Sequence, residues 1–189
     1  MNAQAKNKDF GVVRIAMNLT VACLISGIIL AVAYYLTADT AERKSRELVI
    51  SSMQALVSDA DSFEAIDGKD GWYKALKNGE IVAYVVPSEN KGYGGAIQLL
   101  VAVDTQENII DFQVTSSKET PGLGDKATKA PFTAQFKGKT LDKLVVTKDS
   151  SDTDEILAIT GATISSKAIT EGVKQAVEEV HEMLGGDLS

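Results

Sequence analysis

The sequence predicts an α+β protein: a single N-terminal transmembrane helix and a stalk helix, then one domain with a mainly antiparallel sheet and a C-terminal helix. Three observations lead to this prediction. An uncharged apolar stretch lies near the N-terminus, and four runs of strand-forming residues lie between residues 72 and 115. Apolar residues then recur at helical spacing from residue 169 to residue 184.

The apolar stretch covers residues 15–38 and follows a polar segment, residues 1–14, which we expect in the cytoplasm. At about 1.5 Å per residue its 24 residues reach about 36 Å, enough to cross a bilayer. A cleaved signal peptide is the alternative, because Ala31-Val32-Ala33 loosely resembles a cleavage site, but its apolar core would be shorter. A lipobox at Cys23 is disfavoured because Thr20 stands where Leu is usual. We therefore predict one spanning anchor.

Positive charge does not decide the orientation of this anchor. Three basic residues precede the span and three follow it closely, namely Lys6, Lys8 and Arg14 against Arg43, Lys44 and Arg46. Residues 39–60 have a helical pattern and are predicted to form a stalk. Its surface ion pairs would join Glu42 to Arg46 and Arg43 to Glu47, and its apolar face comprises Val49, Met53 and Leu56.

Residues 61–189 are predicted to form one domain, which begins with a polar loop over 59–71. Asn78-Gly79 predicts a tight hairpin between the first two strands, and Pro87 is expected to end the second. The predicted strands are Trp72–Lys77, Glu80–Val86, Ala96–Asp104 and Ile109–Thr115.

The second half of this domain has fewer strand signals. We predict a loop over Lys118–Lys126, a short helix over Ala130–Phe136, a strand over Leu144–Thr147 and a solvated acidic loop over Asp149–Glu155. The C-terminal helix would bury Ile169, Val173, Val177, Val180 and Leu184 on one face.

A hydroxyl-rich stretch, residues 160–166, lies between a short apolar run at 156–159 and the C-terminal helix. Its Ser and Thr residues are expected at the helix N-cap, where unpaired backbone N–H groups and partial positive charge suit a phosphate. Gly161 and Ala162 keep side-chain bulk away from that position. Taken alone, the stretch is more typical of an ordinary capped helix than of a phosphate site.

The composition excludes several classes of site. Cys23 and His181 are the single cysteine and histidine, so zinc, haem and iron–sulfur sites built by this chain alone are excluded, as are a Cys nucleophile and disulfides. His181 is expected to be an ordinary surface residue. After Arg14 the chain has 16 basic and 25 acidic residues, which argues against binding nucleic acid. Redox chemistry would therefore need an organic cofactor.

Three stretches together resemble the FMN-binding domain family. Thr160-Gly161-Ala162-Thr163-Ile164-Ser165 is similar to its flavin-attachment motif, Glu119 to Asp125 to its glycine loop, and Gly92-Tyr93-Gly94-Gly95 to its third landmark. With the anchor and stalk, the likeness covers nearly the whole chain. It is strongest to the G subunit of the Rnf ion-translocating oxidoreductase complex, to which the C subunit of the sodium-pumping NADH:quinone oxidoreductase is related.

The resemblance implies a cofactor and its site. FMN would be joined through its phosphate to the Thr163 hydroxyl by a phosphoester bond, made by a separate flavin transferase outside the cytoplasmic membrane. The domain would then be extracytoplasmic. The residues implied around the phosphate are Thr160, Gly161, Ala162, Ser165, Ser166 and Lys167. Those implied near the isoalloxazine are Glu119, Thr120, Gly122, Leu123 and Gly124, whose glycines would allow close backbone approach.

The resemblance also implies a role. The chain would carry electrons within an Rnf-type membrane complex that couples ferredoxin:NAD⁺ electron transfer to Na⁺ or H⁺ transport, with the remaining sites on partner subunits. One departure is Leu157, because the family commonly has Asp six residues before the attached Thr. Three alternatives stay open: the corresponding subunit of the quinone-linked pump, an anchored ligand sensor without redox work, and a structural assembly subunit.

Overall fold

The computed structural model describes the backbone of residues 3–151 and 153–185 and the side chains of residues 14–36, 49–151 and 153–185. The chain divides into two compact units, Met1–Leu48 and Val49–Ser189. The predicted stalk ion pairs Glu42–Arg46 and Arg43–Glu47 lie outside the described side chains. Residues 1–2 and 186–189, in the predicted terminal segments, also lie outside the described part of the chain.

The first helix, α1, runs over Ala3–Leu56, so the predicted anchor and stalk are one continuous helix that ends before residue 60. Within it, Arg14–Leu36 is long and apolar enough to cross a membrane. The side chains of this segment are exposed, as a surface that faces lipid requires.

A five-stranded antiparallel sheet follows, with its strands in chain order. Asn78 and Gly79 both have positive φ and form the predicted hairpin turn. The fold class is thereby confirmed. The strands are β1 (Ser62–Ala65), β2 (Tyr73–Lys77), β3 (Glu80–Lys91), β4 (Ala96–Asp104) and β5 (Ile109–Ser116).

Two predictions about this sheet were wrong. Pro87 does not end β3, which continues to Lys91 with Pro87 opposite Leu100 of β4. β2 pairs with β3 only as far as Val85, so beyond that residue no described strand pairs with this edge of β3, and a missing N–H there breaks no ladder bond. The predicted loop over 59–71 also contains strand β1, whose residues are exposed except for the partly buried Phe63.

The second half of the domain is mostly irregular. A two-stranded parallel sheet joins β6 (Val146–Thr147) to β7 (Ile156–Leu157), so the strand predicted over Leu144–Thr147 is only two residues long. The predicted short helix is a 3₁₀ turn over Thr133–Phe136, and two further 3₁₀ turns cover Gly124–Thr128 and Leu141–Lys143. The chain then forms the second α-helix, α2 (Thr163–Met183).

Both faces of the sheet are covered. Leu99, Val101 and Val103 of β4 pack on the side of α2, whereas Leu100 and Ala102 pack with residues at the end of α1. A strand buried on both faces explains the unbroken apolar run of β4. The core on the side of α2 includes six residues of that helix, Ala168, Ile169, Val173, Ala176, Val177 and Val180.

Two residues near the end of α2 differ from prediction. Leu184 is exposed because the helix ends at Met183, one residue before it. The predicted surface residue His181 is partly buried, and its Nδ1 lies 2.8 Å from a carboxylate oxygen of Glu107. That contact joins the end of α2 to the turn between β4 and β5.

Candidate functional site

The attachment motif forms the turn between β7 and α2. Gly161 has φ of +83°, and the Ala162 N–H donates to the Ile159 carbonyl at 2.9 Å, which closes the turn. The N-cap of α2 is Ala162 and none of the described side chains caps the helix, so the expected Ser or Thr cap was wrong. The first backbone N–H groups of a helix have no partner within the helix. With no described side chain capping them, those of α2 are available to a ligand.

Ser166 stabilises this turn from inside. Its hydroxyl accepts from the Ile159 N–H at 3.1 Å and donates to the Ala162 carbonyl at 3.0 Å. The side chain is fully buried. The contacts therefore give Ser166 a structural role in the turn, rather than the place beside the phosphate that the resemblance implied.

The resemblance implied that Thr160 lies near the phosphate, but the structure places it in the exposed part of the turn. The strand ends at Leu157, so Thr160 is three residues beyond it, exposed in the turn. Neither Thr160 nor Gly122 lines the cleft that contains Thr163.

The three stretches that carry the family resemblance meet around one cleft of about 550 Å³. This volume is within the range typical of small-molecule sites, about 300–1,000 Å³. Of the residues predicted to contact the cofactor, most line the cleft. The lining residues are Tyr93, Glu119, Thr120, Leu123, Gly124, Gly161, Ala162, Thr163, Ile164 and Ser165.

Tyr93 and Ile164 were not singled out from the sequence as site residues. Both are well exposed, at 72% and 55%, and Leu123 beside them is 47% exposed. Large apolar side chains exposed together at a cleft indicate a binding surface. The available sequence signal was their position inside the family stretches, one residue from Gly92 or Thr163.

Glu119 has an unusual environment for a charged residue. It is 8% exposed, and one carboxylate oxygen accepts from the Gly94 N–H at 2.9 Å. The other oxygen accepts from the hydroxyl of Ser165, in the first turn of α2. Ser165, itself buried, is thus engaged with Glu119 although it lines the cleft.

Asp125, the last residue of the glycine loop, is oriented by Lys129. The Lys129 Nζ donates to an Asp125 carboxylate oxygen at 3.0 Å, and this hydrogen bond lowers the pKa of Asp125 below its ordinary value. Asp125 is not among the cleft residues. The pair instead holds together the 3₁₀ turn that follows the loop.

A larger groove of about 590 Å³ lies on the other side of Ile164. It is lined by three lysines, Lys91, Lys167 and Lys174, but does not include Thr163. We assign the site to the smaller cleft because it contains Thr163 and parts of all three family stretches.

Comparison with known proteins identifies the family of the chain. Residues 92–178 match the FMN-binding domain family. The chain is 52% identical over 183 residues to the G subunit of the proton-translocating ferredoxin:NAD(+) oxidoreductase complex of Clostridium ljungdahlii, covering 96% of this chain and 99% of that one. The chain belongs to the family of G subunits of ion-translocating oxidoreductase complexes.

Two further similar proteins share less of their sequence with this chain. The G subunit of the Na(+)-translocating ferredoxin:NAD(+) oxidoreductase complex of Acetobacterium woodii is 32% identical, over 88% of this chain and 90% of that one. Among solved structures, the C subunit of the Na(+)-translocating NADH-quinone reductase of Parabacteroides distasonis is similar with a TM-score of 0.51 and 25% identity, over 61% of this chain and 63% of that one. Family membership implies that the chain works with other subunits, and its apolar helix indicates a membrane anchor.

The residues of the cleft fit FMN, the cofactor of the matched domain. The Thr163 hydroxyl lies in the cleft at the first residue of an uncapped helix, a position suited to a phosphate. The exposed side chains of Tyr93, Leu123 and Ile164 offer the apolar surface that a planar ring system requires.

Proposed function

We propose that this protein is an electron-carrying subunit of an Rnf-type complex, with FMN attached covalently to Thr163 by a phosphoester bond. The complex would couple electron transfer between ferredoxin and NAD⁺ to the transport of Na⁺ or H⁺. One observation supports the attachment site above all. Two cleft residues, Thr163 and Ser165, combine a hydroxyl group with a place in the first turn of α2, and the Ser165 hydroxyl already donates to Glu119.

The chain's own groups would hold the phosphate mainly through the backbone. A negative charge at a helix N-terminus gains about 0.3–1 kcal/mol when exposed and up to about 2 kcal/mol when partly buried. Ser165 and Ser166 donate their hydroxyls to Glu119 and to the Ala162 carbonyl, so the phosphate would depend on the free N–H groups. Lys167 is exposed and lines the neighbouring groove, so its positive charge would act on the phosphate from outside the cleft.

The remaining cleft residues would bind and shield the ring. FMN, when bound, supplies redox chemistry that no side chain of this sequence can supply. Tyr93, Leu123 and Ile164 would cover its apolar surface and exclude water, while Glu119, Thr120 and Gly124 would complete the lining of the cleft. This chain would not complete a turnover alone, since NAD⁺, ferredoxin and the transported ion would bind to partner subunits.

The transported ion would be either Na⁺ or H⁺. The two relatives described above differ in the ion that their names give. A related alternative is the C subunit of a sodium-pumping NADH:quinone oxidoreductase, which the structural similarity to the Parabacteroides protein favours. Identifying the subunits that co-purify with the chain would distinguish the two complexes.

The attachment site can be tested with two threonines three residues apart. Thr163→Ala should abolish covalent flavin when the full-length chain is made with its transferase. Thr160→Ala, a matched control in the exposed turn, should keep at least part of it. In-gel flavin fluorescence and intact mass, with an added FMN less one water, measure the result.

Loss of folding should not confuse this test. Because the N-cap is Ala162, Thr163→Ala removes no cap, and we expect a change in unfolding free energy within about 0.5 kcal/mol. Covalent flavin on the Thr163→Ala protein would contradict the assignment of Thr163 as the attachment residue. A parent chain without flavin, made with its transferase, would contradict the proposed function as a whole.

A further inference from the structure

Glu119 connects three separate segments of the chain. Its carboxylate accepts from Gly94, in the loop before β4, and from Ser165, in the first turn of α2. Its own N–H donates to the Ser117 hydroxyl at 3.2 Å. A buried carboxylate is costly unless its oxygens are paired, so these contacts stabilise the cleft only while all three segments stay in place.

Glycines leave the space that this carboxylate occupies. A Cβ on Gly92 would lie 2.3 Å from one carboxylate oxygen of Glu119, and a Cβ on Gly124 would lie 2.6 Å from the other. On Gly94 it would lie 2.0 Å from the Lys118 carbonyl. Real Cβ atoms do not approach so closely, so a side chain at Gly94 would displace the Lys118 backbone, and one at Gly92 or Gly124 would displace the Glu119 carboxylate.

We propose that Glu119 is a positioning residue, which fixes the cleft by accepting these two hydrogen bonds and places a negative charge beside the flavin. The glycines of two family stretches then serve to enclose this carboxylate, rather than to bring the backbone close to the ring. The charge effect rests on the proposed function, whereas the positioning effect concerns the chain alone and can be tested without flavin.

The positioning effect can be read from one amide. Gly94 is exposed, yet its N–H donates to Glu119, so hydrogen exchange at this amide should be slowed. In the flavin-free, full-length chain in detergent micelles, Glu119→Ala should speed that exchange about tenfold, as loss of one buried hydrogen bond implies. The Gly92 amide, which donates to the Gly95 carbonyl at 2.8 Å, is the control in the same loop and should change little.

A double-mutant cycle tests whether Glu119 acts through Ser165. Flavin attachment by the transferase should slow about tenfold in Glu119→Ala. Ser165→Ala should slow it less, because the Gly94 contact remains. The double variant should be no slower than Glu119→Ala, since both changes remove the same contact.

The charge effect needs a substitution that keeps the shape. In Glu119→Gln the amide oxygen can accept from Gly94 while the amide nitrogen donates to the Ser165 oxygen, so attachment should stay close to the parent rate. The midpoint potential of the attached flavin should nevertheless rise, because a fixed negative charge that opposes the addition of electrons is gone. A merely structural residue would not change the potential in this way.

The outcomes separate the two claims. Unchanged Gly94 exchange in Glu119→Ala, or fully additive effects of the two alanine substitutions, would overturn the positioning role. An unchanged potential in Glu119→Gln would overturn the charge effect. A parent chain that takes no flavin would contradict the proposed function, and the exchange measurement would still decide the positioning role.

Discussion

The three hydroxyl residues of the first turn of α2 have three different surroundings. Thr163 is partly exposed in the cleft, Ser165 is buried and donates to Glu119, and Ser166 is fully buried within the turn. A hydroxyl that is already paired inside the protein cannot serve a ligand without leaving an unsatisfied partner. Three hydroxyl residues that are chemically alike in the sequence therefore have different roles, and Thr163 is the one open to modification.

Ser166→Ala should destabilise the domain rather than remove a cofactor contact. It removes the acceptor of the Ile159 N–H, and an unsatisfied buried donor costs about 1–3 kcal/mol. Chemical denaturation of the flavin-free chain measures this. Ser58→Ala, at an exposed position, is the control and should stay within about 0.5 kcal/mol. Normal stability combined with lost flavin would instead favour the direct contact that the resemblance implied.

The sequence predicted most of the cleft residues because each family stretch is local. It could not predict that Ser165 is engaged with Glu119, since that partner is 46 positions away in the chain. The roles of Gly92 and Gly124 were missed for the same reason. Which side chain needs the space beside a glycine depends on tertiary packing, which a single sequence does not reveal.

At the scale of elements, α2 lies close against the sheet at Gly172. A Cβ there would lie 2.6 Å from the Leu99 Cδ1 and 3.4 Å from the Ser88 hydroxyl oxygen. Gly in a helix costs about 1 kcal/mol relative to Ala, so its presence in α2 has a packing reason. At this position Leu99 of β4 limits how closely α2 approaches the sheet.

Gly172→Ala should lower the unfolding free energy by about 1–2 kcal/mol, because overpacking a filled core outweighs the gain in helix propensity. In a Leu99→Ala background the same change should become stabilising, because the obstructing methyl group is absent. Denaturant midpoints of the four variants measure this coupling. Additive effects would show that Leu99 does not limit the approach of α2.

Leu157, in β7, occupies the position where the family commonly has Asp. Its backbone N–H donates to the Gln135 side chain at 2.8 Å, and its side chain lines a small groove with Lys126 and Lys129. If the transferase recognises an acidic residue there, Leu157→Asp should take up flavin faster than the parent under limiting transferase. Leu157→Asn is the matched control of similar shape without charge, and an equal rate for Asp and Asn would exclude a charge effect.

Strand and helix positions were predictable where the pattern was long. β4 has a long apolar run and α2 has extended apolar periodicity, and the predicted β4 has the observed bounds. β1 was missed because only Phe63 is directed inward, and the end of β3 was misplaced because Pro87 is tolerated at a local sheet edge. Both errors arise because strand pairing depends on the adjacent strand in the sheet, which the sequence of the strand itself does not reveal.

At the scale of the whole molecule, the side of the membrane is the main property that charge does not decide. The basic residues are balanced three against three across the apolar segment. We nevertheless expect the domain outside the cytoplasm, because the proposed covalent flavin requires a transferase that works there. Topology and flavin attachment are therefore linked, and an independent measurement of topology tests that link.

A membrane-impermeant thiol label should react with Lys137→Cys in intact spheroplasts, because Lys137 is exposed in the domain. Cys23 lies within the apolar segment, and a Cys23→Ala background removes it as a second target. Asn7→Cys, in the N-terminal segment, is the opposite control and should react only after lysis. If Lys137→Cys also reacted only after lysis, the domain would be cytoplasmic. A transferase outside the membrane would then have no access to Thr163, and any covalent flavin would need a cytoplasmic route of attachment.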